Sequence, residues 1–294
     1  MKNVDSIGHV TGKSVYLDDI PVQKGTLHAV VFGSPVGHGR IKNIDYTAAK
    51  KLPGIAAIIT HDDITGDNQI GGIIEDEPLF AEEELHFYGQ PIALIVAKDA
   101  FTARKAKALI KLDVEEFEVV TDPREAYKRG DLLFPSRSFQ MGILEEAWSD
   151  CEYIFEGRAD IGGQEHLYIE TQGSYAYPTD NGSIKIHSST QGPTAVQKTA
   201  ARVLGLPMHR IEVDVARLGG AFGGKEDQAS GFATMVALAA YVMKKPVKIT
   251  LDRPDDMQMT GKRHPYSADY KIGLSKDLKI VAYQTTLYQN GGAA

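Results

Sequence analysis

Gly219-Gly220-Ala221-Phe222-Gly223-Gly224-Lys225-Glu226 lies between an alternating segment, Ile211 to Val215, and a long apolar run, Gln228 to Met243. The alternation reads as a strand and the apolar run as a buried helix. Four glycines between strand and helix let the backbone approach a bound group closely, with amides free to donate to it. The spacing Gly219, four residues, Gly224, Lys225 nearly makes a phosphate-binding P-loop. That motif next requires Ser or Thr, whose hydroxyl holds Mg²⁺. Glu226 stands there instead and would set negative charge beside phosphates. The dinucleotide fingerprint G-x-G-x-x-G fits less well, because the doublets fall at the wrong offsets.

Outside the loop, the chain alternates strand and helix signals. Thr26 to Phe32, Ile55 to Thr60 and Pro91 to Ala97 are apolar, β-branched runs of strand length. Phe101 to Ile110 has helical spacing, and Leu112 to Val120 alternates as a strand. The polar stretch Gly130 to Ser138 reads as a linker. Beyond it come a short helix, Met141 to Trp148, and a long strand region, Tyr153 to Glu170. Tyr175 to Ser189 forms a hairpin around Asp180-Asn181-Gly182. Thr194 to Leu204 is a helix stopped by Gly205 and Pro207, and Val247 to Leu251 and Tyr266 to Leu287 return to strand. The expected division is 1–130, a linker at 131–140, and 141–294.

Composition narrows the function. The 294 residues are 43% hydrophobic and 24% charged, as in an ordinary globular protein. A net charge of -7 with no basic run argues against nucleic acid. No stretch reaches the roughly 18 apolar residues that span a bilayer, and no signal pattern opens the chain, so the expected location is cytoplasmic. With Cys151 alone, neither an intrachain disulfide nor a cysteine-ligated iron–sulfur cluster can form. The acidic residues Glu75, Asp76, Glu77, Glu82, Glu83 and Glu84 lack EF-hand spacing and read as a solvated loop.

Several segments match one family in order. The glycine loop resembles the G-G-[GA]-F-G-G-K-E element of the molybdenum-binding subunit of xanthine dehydrogenases. Gly162-Gly163-Gln164-Glu165-His166-Leu167-Tyr168-Ile169-Glu170 resembles that family's G-G-Q-E-H-F-Y-L-E. Ser188-Ser189-Thr190-Gln191 resembles its S-[ST]-[ST]-Q segment, and Leu251-Asp252-Arg253 with Thr260 to His264 another shared stretch. Val10-Thr11-Gly12 and Tyr16 to Pro21 are similar to the family's opening. The resemblance covers essentially the whole chain.

The resemblance implies an α/β (α+β) fold: an α/β hammerhead domain, then the first part of a large molybdopterin-binding domain. It implies a molybdenum–molybdopterin cofactor, with or without a cytosine nucleotide. It assigns Gln191 to donate to an oxygen ligand of molybdenum, and the amide of Phe222 to face an apical oxygen. Gly220, Ala221 and Gly223 would line the pterin, and Glu226 would hydrogen-bond a purine. Aldehyde oxidases of the family carry an apolar residue at the last position, so Glu226 favours xanthine or hypoxanthine as substrate. Water supplies the oxygen in this family. Electrons leave through 2Fe-2S clusters and FAD, here expected on other subunits or segments, within a homo-oligomeric assembly. The family's catalytic base and substrate arginine correspond to positions beyond Ala294, so this chain reads as a truncated fragment, inactive alone.

Residue types alone leave other readings open. Gln191 also reads as a solvated helix-entry residue, Phe222 as a plug holding the loop on the core, and Glu226 as a helix-start carboxylate. Glu165, His166 and Glu170 resemble metal ligands, but in a strand His166, Tyr168 and Glu170 share a face that excludes Glu165. Lys262, Arg263 and His264 read as a solvated turn. Alternatives for the whole chain are an aldehyde- or N-heterocycle-oxidising relative, a P-loop-like nucleotide-binding module, and a non-catalytic scaffold.

Overall fold

The computed structural model describes residues 4–291 and divides into two compact units. Residues up to Phe117 together with His166–Gly261 form the first. Its strands are β1 (Leu27–Gly33), β2 (Gly39–Asp45), β3 (Ile55–Ile59), β4 (Glu84–Leu85), β5 (Pro91–Ala97) and β6 (Lys111–Glu116). Glu118–Glu165 and Lys262 onward form the second unit, with β7 (Tyr153–Ile161), β12 (Tyr266–Leu274) and β13 (Ile280–Gln289). The first unit resumes with β8 (Gly173–Pro178), β9 (Ile184–Ser188), β10 (Ile211–Asp214) and β11 (Val247–Thr250). Its helices are α1 (Ser6–Val10), α2 (Thr47–Lys50), α3 (Ala100–Lys107), α6 (Pro193–Leu204), α7 (Gln228–Met243) and α8 (Arg253–Met259). The second unit holds α4 (Pro123–Arg129) and α5 (Leu144–Ser149).

In the first unit, seven strands form one sheet in the order β10-β9-β8-β11-β1-β5-β3. Strands from both ends of the chain meet in it: β1 pairs in parallel with β11, Leu27 opposite Val247. Side chains alternate between the two faces, as a strand's period of two requires. On one face Val30, Ala93 and Ile95 pack with Ala103 and Ala106 of α3. On the other Ala29, Val31, Leu94 and Val96 share a core with Val196 of α6 and Phe232, Val236 and Leu238 of α7. Residues Ala229 through Ala240 of α7 are all buried, which explains why its apolar residues run all round rather than along a stripe. A smaller sheet, β4-β2-β6, lies in the same unit.

The hairpin expected from Asp180-Asn181-Gly182 joins β8 to β9, with positive φ at Asn181 (61°) and Gly182 (72°). Gly205 ends α6 in the left-handed conformation at φ 64°. In the second unit, the antiparallel sheet β13-β12-β7 is tied to α4 by Arg124, whose Nη1 donates to Asp160 at 2.6 Å and Nη2 to Asp269 at 2.8 Å.

Two expectations need correction. The strand region does not run to Glu170. Regular pairing ends at Ile161, Leu167 has φ 48°, and the carbonyls of Tyr168 and Ile169 accept from Arg253 instead of from a neighbouring strand. Nor are Lys262, Arg263 and His264 a solvated turn. Lys262 pairs with Glu165 at 2.8 Å, Arg263 exchanges backbone bonds with Gln164, and His264 meets Gln289 at 2.5 Å.

Candidate functional site

The glycine loop leaves the region after β10 and enters α7, and three segments of the first unit support it from beneath. Gly220 and Gly223 both have φ 95°, a conformation that costs glycine little and other residues much. Close approach is equally limiting at Gly224, where a Cβ would stand 2.8 Å from both the His166 ring and Tyr168 Cε1. Phe222 is not glycine, yet it has φ 57° and is 76% exposed. A bulky residue held left-handed costs about 1–3 kcal/mol and persists only where its surroundings fix it. The exposure overturns the reading of Phe222 as a plug; the small Ala221, 5% exposed, anchors the loop instead.

Lys225 and Glu170 fix those surroundings. The Lys225 side chain is fully buried, and Nζ donates to Glu170 O (2.6 Å), Ser189 Oγ (2.7 Å) and Glu170 Oε2 (3.3 Å). Its ammonium also lies 4.6 Å from the centre of the Tyr168 ring. Burial pulls the Lys225 amine below its ordinary range, and the Glu170 charge works against that shift. Glu170 Oε2 accepts further bonds from Gly219 N (2.8 Å) and Ser189 Oγ (2.6 Å). A single carboxylate thus joins the loop's start, its end and the Ser188-to-Gln191 segment. Because Lys225 points inward, it cannot reach a phosphate on the outer side of the loop, which removes the P-loop reading.

Beneath this pair is a second set of buried polar groups. Asp256 is fully buried and accepts from Gln172 N (2.8 Å), Tyr168 OH (3.3 Å) and Arg253 Nη1 (3.3 Å). Gln172 Nε2 donates to Gly224 O at 2.8 Å. The Tyr168 hydroxyl is pushed up by burial and by the Asp256 charge, so it stays protonated and donates.

Gln191 sits on the exposed side, at the entry to α6. Its backbone N–H donates to Lys225 O at 2.9 Å. Its side-chain oxygen accepts from Gly223 N (3.1 Å) and Lys225 N (3.3 Å). With the oxygen taken, the amide NH₂ is the end that faces outward, so the loop selects which end Gln191 presents. This is not the arrangement of a freely solvated glutamine.

The glycine loop itself leaves donors open. Among the described residues, the N–H of Phe222 donates to no protein acceptor. Gly223, expected to line a cofactor, already gives its amide to Gln191. Glu226 is exposed and lies two residues before α7 begins, so it is neither desolvated by this chain nor a helix-start residue. Gln191, Gly220, Ala221, Phe222, Gly223 and Glu226 therefore come together on one loop and its neighbour. Residue reasoning set Glu170 aside as strand packing and gave Lys225 no role of its own. A lysine inside an apolar Gly-rich stretch, with Ser-Ser-Thr and a glutamate elsewhere, was the available signal.

The group that suits these two donors is one rich in oxygen acceptors. It would meet an open backbone N–H and an oriented amide NH₂, beside a glycine (Gly220) whose added Cβ would come within 3.2 Å of Tyr168 Cβ.

Comparison with known proteins agrees with that chemistry. A family model described as the molybdopterin cofactor-binding domain matches residues 127–294. Another, the a/b hammerhead domain of aldehyde oxidase and xanthine dehydrogenase, matches residues 11–118. The chain is 39% identical over 287 residues to a xanthine dehydrogenase of Oryza sativa subsp. japonica, and 38% over 283 residues to a xanthine dehydrogenase/oxidase of Mus musculus. Each alignment covers 96% of this chain and 21% of the relative, so the chain spans about a fifth of their length. Among solved structures, an aldehyde oxidoreductase from Desulfovibrio gigas is similar with a TM-score of 0.85 and 28% identity, covering 97% of this chain and 33% of that one. A CO dehydrogenase from Oligotropha carboxidovorans gives a TM-score of 0.83 and 26% identity, covering 98% and 39%.

Proposed function

Because the chain belongs to the aldehyde oxidase and xanthine dehydrogenase family and carries its molybdopterin cofactor-binding domain, we propose that it forms part of an enzyme that hydroxylates a purine, xanthine or hypoxanthine. When bound, the cofactor supplies two-electron oxidation of a ring carbon with water as the source of oxygen. The chain's own residues hold and orient. The outward NH₂ of Gln191 and the open N–H of Phe222 are preorganised dipoles for an oxygen-rich metal centre, and they need no reorganisation as charge builds there. Gly220 and Ala221 let the pterin lie close to the backbone. Glu226 offers a carboxylate to a ring nitrogen or carbonyl of the substrate, a contact that gains strength as further chain or substrate excludes water.

The observation that carries this reading is the fixed amide of Gln191, locked by Gly223 and Lys225. A simple solvated residue would not need two backbone donors. On this proposal electrons pass to 2Fe-2S and FAD centres on associated subunits or segments of a homo-oligomer. A second reading, an aldehyde or N-heterocycle as substrate, draws on the aldehyde oxidoreductase named among the solved neighbours.

A two-substrate comparison in the holoenzyme tests both readings. Gln191→Ala should lower kcat/KM for xanthine and for an aldehyde by similar factors, with molybdenum content unchanged. Glu226→Ala should lower it for xanthine about ten- to a hundredfold, the loss of one charge-assisted hydrogen bond of roughly 1.5–3 kcal/mol, and spare the aldehyde. An unchanged rate on xanthine in Glu226→Ala would favour the aldehyde reading. Loss of molybdenum in Gln191→Ala would remove the role given to its amide.

A further inference from the structure

Away from the glycine loop, the small sheet of the first unit brings two imidazoles and a carboxylate to one place. In the β2–β4 pair Gly39 lies opposite Leu85 and Arg40 opposite Glu84. The same register sets His38, just before β2, against His86, just after β4. Glu84 and His86 are two apart and so share a face. His38 Nε2 is 3.0 Å from Glu84 Oε1, and His86 Nδ1 is 4.0 Å from that same oxygen. One ligand atom from each residue falls within 4.8 Å of the others.

We propose that His38, Glu84 and His86 form a binding site for a borderline divalent transition metal, with Zn²⁺ as the reference ion. Imidazole nitrogens and one carboxylate oxygen suit Zn²⁺, Ni²⁺ or Cu²⁺ rather than the all-oxygen ions Ca²⁺ and Mg²⁺. Ligands at about 2.0–2.2 Å in a tetrahedron stand about 3.3 Å from each other. The observed separations of 3.0 and 4.0 Å bracket that value. His86 is 58% exposed, so its ring can close the longer gap by side-chain rotation alone. His38 is less free: the Phe117 ring packs edge-on against it with centroids 5.0 Å apart. Arg40 is the opposing charge on this face, and its guanidinium lies 5.7 Å from the Phe117 ring centre. Three protein ligands leave a fourth position to water.

The site has a mechanical consequence. Strand β4 is only two residues long and ends a long irregular segment. A metal there would clip that segment to β2 with bonds far stronger than its two-residue ladder.

The test uses the untagged chain, stripped with a chelator and titrated with Zn²⁺ against a chromophoric competitor. One equivalent should bind at micromolar or lower concentration, with Mg²⁺ and Ca²⁺ failing to compete. His86→Asn and His38→Gln should each weaken binding at least about tenfold, the loss that follows even from disturbing a ligand's support. His209→Ala, an exposed histidine outside the cluster, should leave it unchanged. Cu²⁺ in place of Zn²⁺ should give an electron paramagnetic resonance spectrum split by two imidazole nitrogens, reduced to one in His86→Asn. Circular dichroism establishes that each variant is folded. Binding that persists unchanged in both histidine variants, or only millimolar binding by the parent chain, would overturn the proposal.

Discussion

At the residue scale, the candidate site depends on a pair that lies beneath it. Lys225 and Glu170 are buried together beneath the glycine loop and hold its two ends. Breaking such a pair from one side leaves a charge without compensation, at a cost of about 3–5 kcal/mol, whereas removing both charges costs less. Glu170→Ala should therefore destabilise the first unit by that amount in urea denaturation. Adding Lys225→Met should recover part of the loss, giving a coupling energy of about 1–3 kcal/mol in the double-mutant cycle. Strictly additive effects would mean that the two side chains act independently. Gln191 and Glu226 were visible in the sequence because their family motifs are local. Glu170 was harder to see, since its role depends on meeting Lys225 and Ser189, 55 and 19 residues away in the chain.

At the element scale, regular signals were readable and broken ones were not. Pro91–Ala97 and Gln228–Met243 fold with the bounds that their apolar runs suggest. Strand β2 escaped notice because its register shifts between Ile41 and Asn43, which destroys the period of two. The 162–170 segment misled in the opposite sense: Tyr168 is buried between exposed Leu167 and Ile169, an alternation kept without any ladder. Helix α8 has a readable start, with Asp252 accepting from Asp255 N and Pro254 in the first turn, but only seven residues. Glu77, in the irregular segment before β4 and near Asp227 at the start of α7, carries its own titration. Burial, with Asp76 and Asp227 adding like charge, pushes the Glu77 carboxyl up to about 7 from an ordinary value near 4.5. The folded chain then keeps a proton that the unfolded chain releases, so this residue's contribution to stability falls as pH rises from about 4.5 to about 7. Glu77→Gln should match the parent near pH 4.5 and exceed it at pH 8 by up to about 3 kcal/mol, as shown by urea midpoints at the two pH values. An equal offset at both would contradict the assignment.

At the scale of the whole molecule, the two family segments are separate in sequence and joined in the first unit. The hammerhead match ends at residue 118, yet its strand β1 pairs with β11 of the later segment. Ala29, Val31, Leu94 and Val96 complete a core with α6 and α7. Residues 1–118 made alone should consequently expose one face of β1 and β5 and lack a cooperative thermal transition by circular dichroism. A sharp two-state melt for that piece would show that the segment is self-sufficient. The domain limits 1–130 and 141–294, with a linker at 131–140, remain a proposal. Heredity feels the same constraint. A genetic crossover between two relatives anywhere from residue 118 to 127 would hand β1 from one parent to β11 from the other. Leu27 with Val247, and His28 with Lys248, would then have to tolerate strangers. Such hybrids should survive only where those facing positions happen to agree, so this enzyme family is expected to exchange the two segments together or not at all.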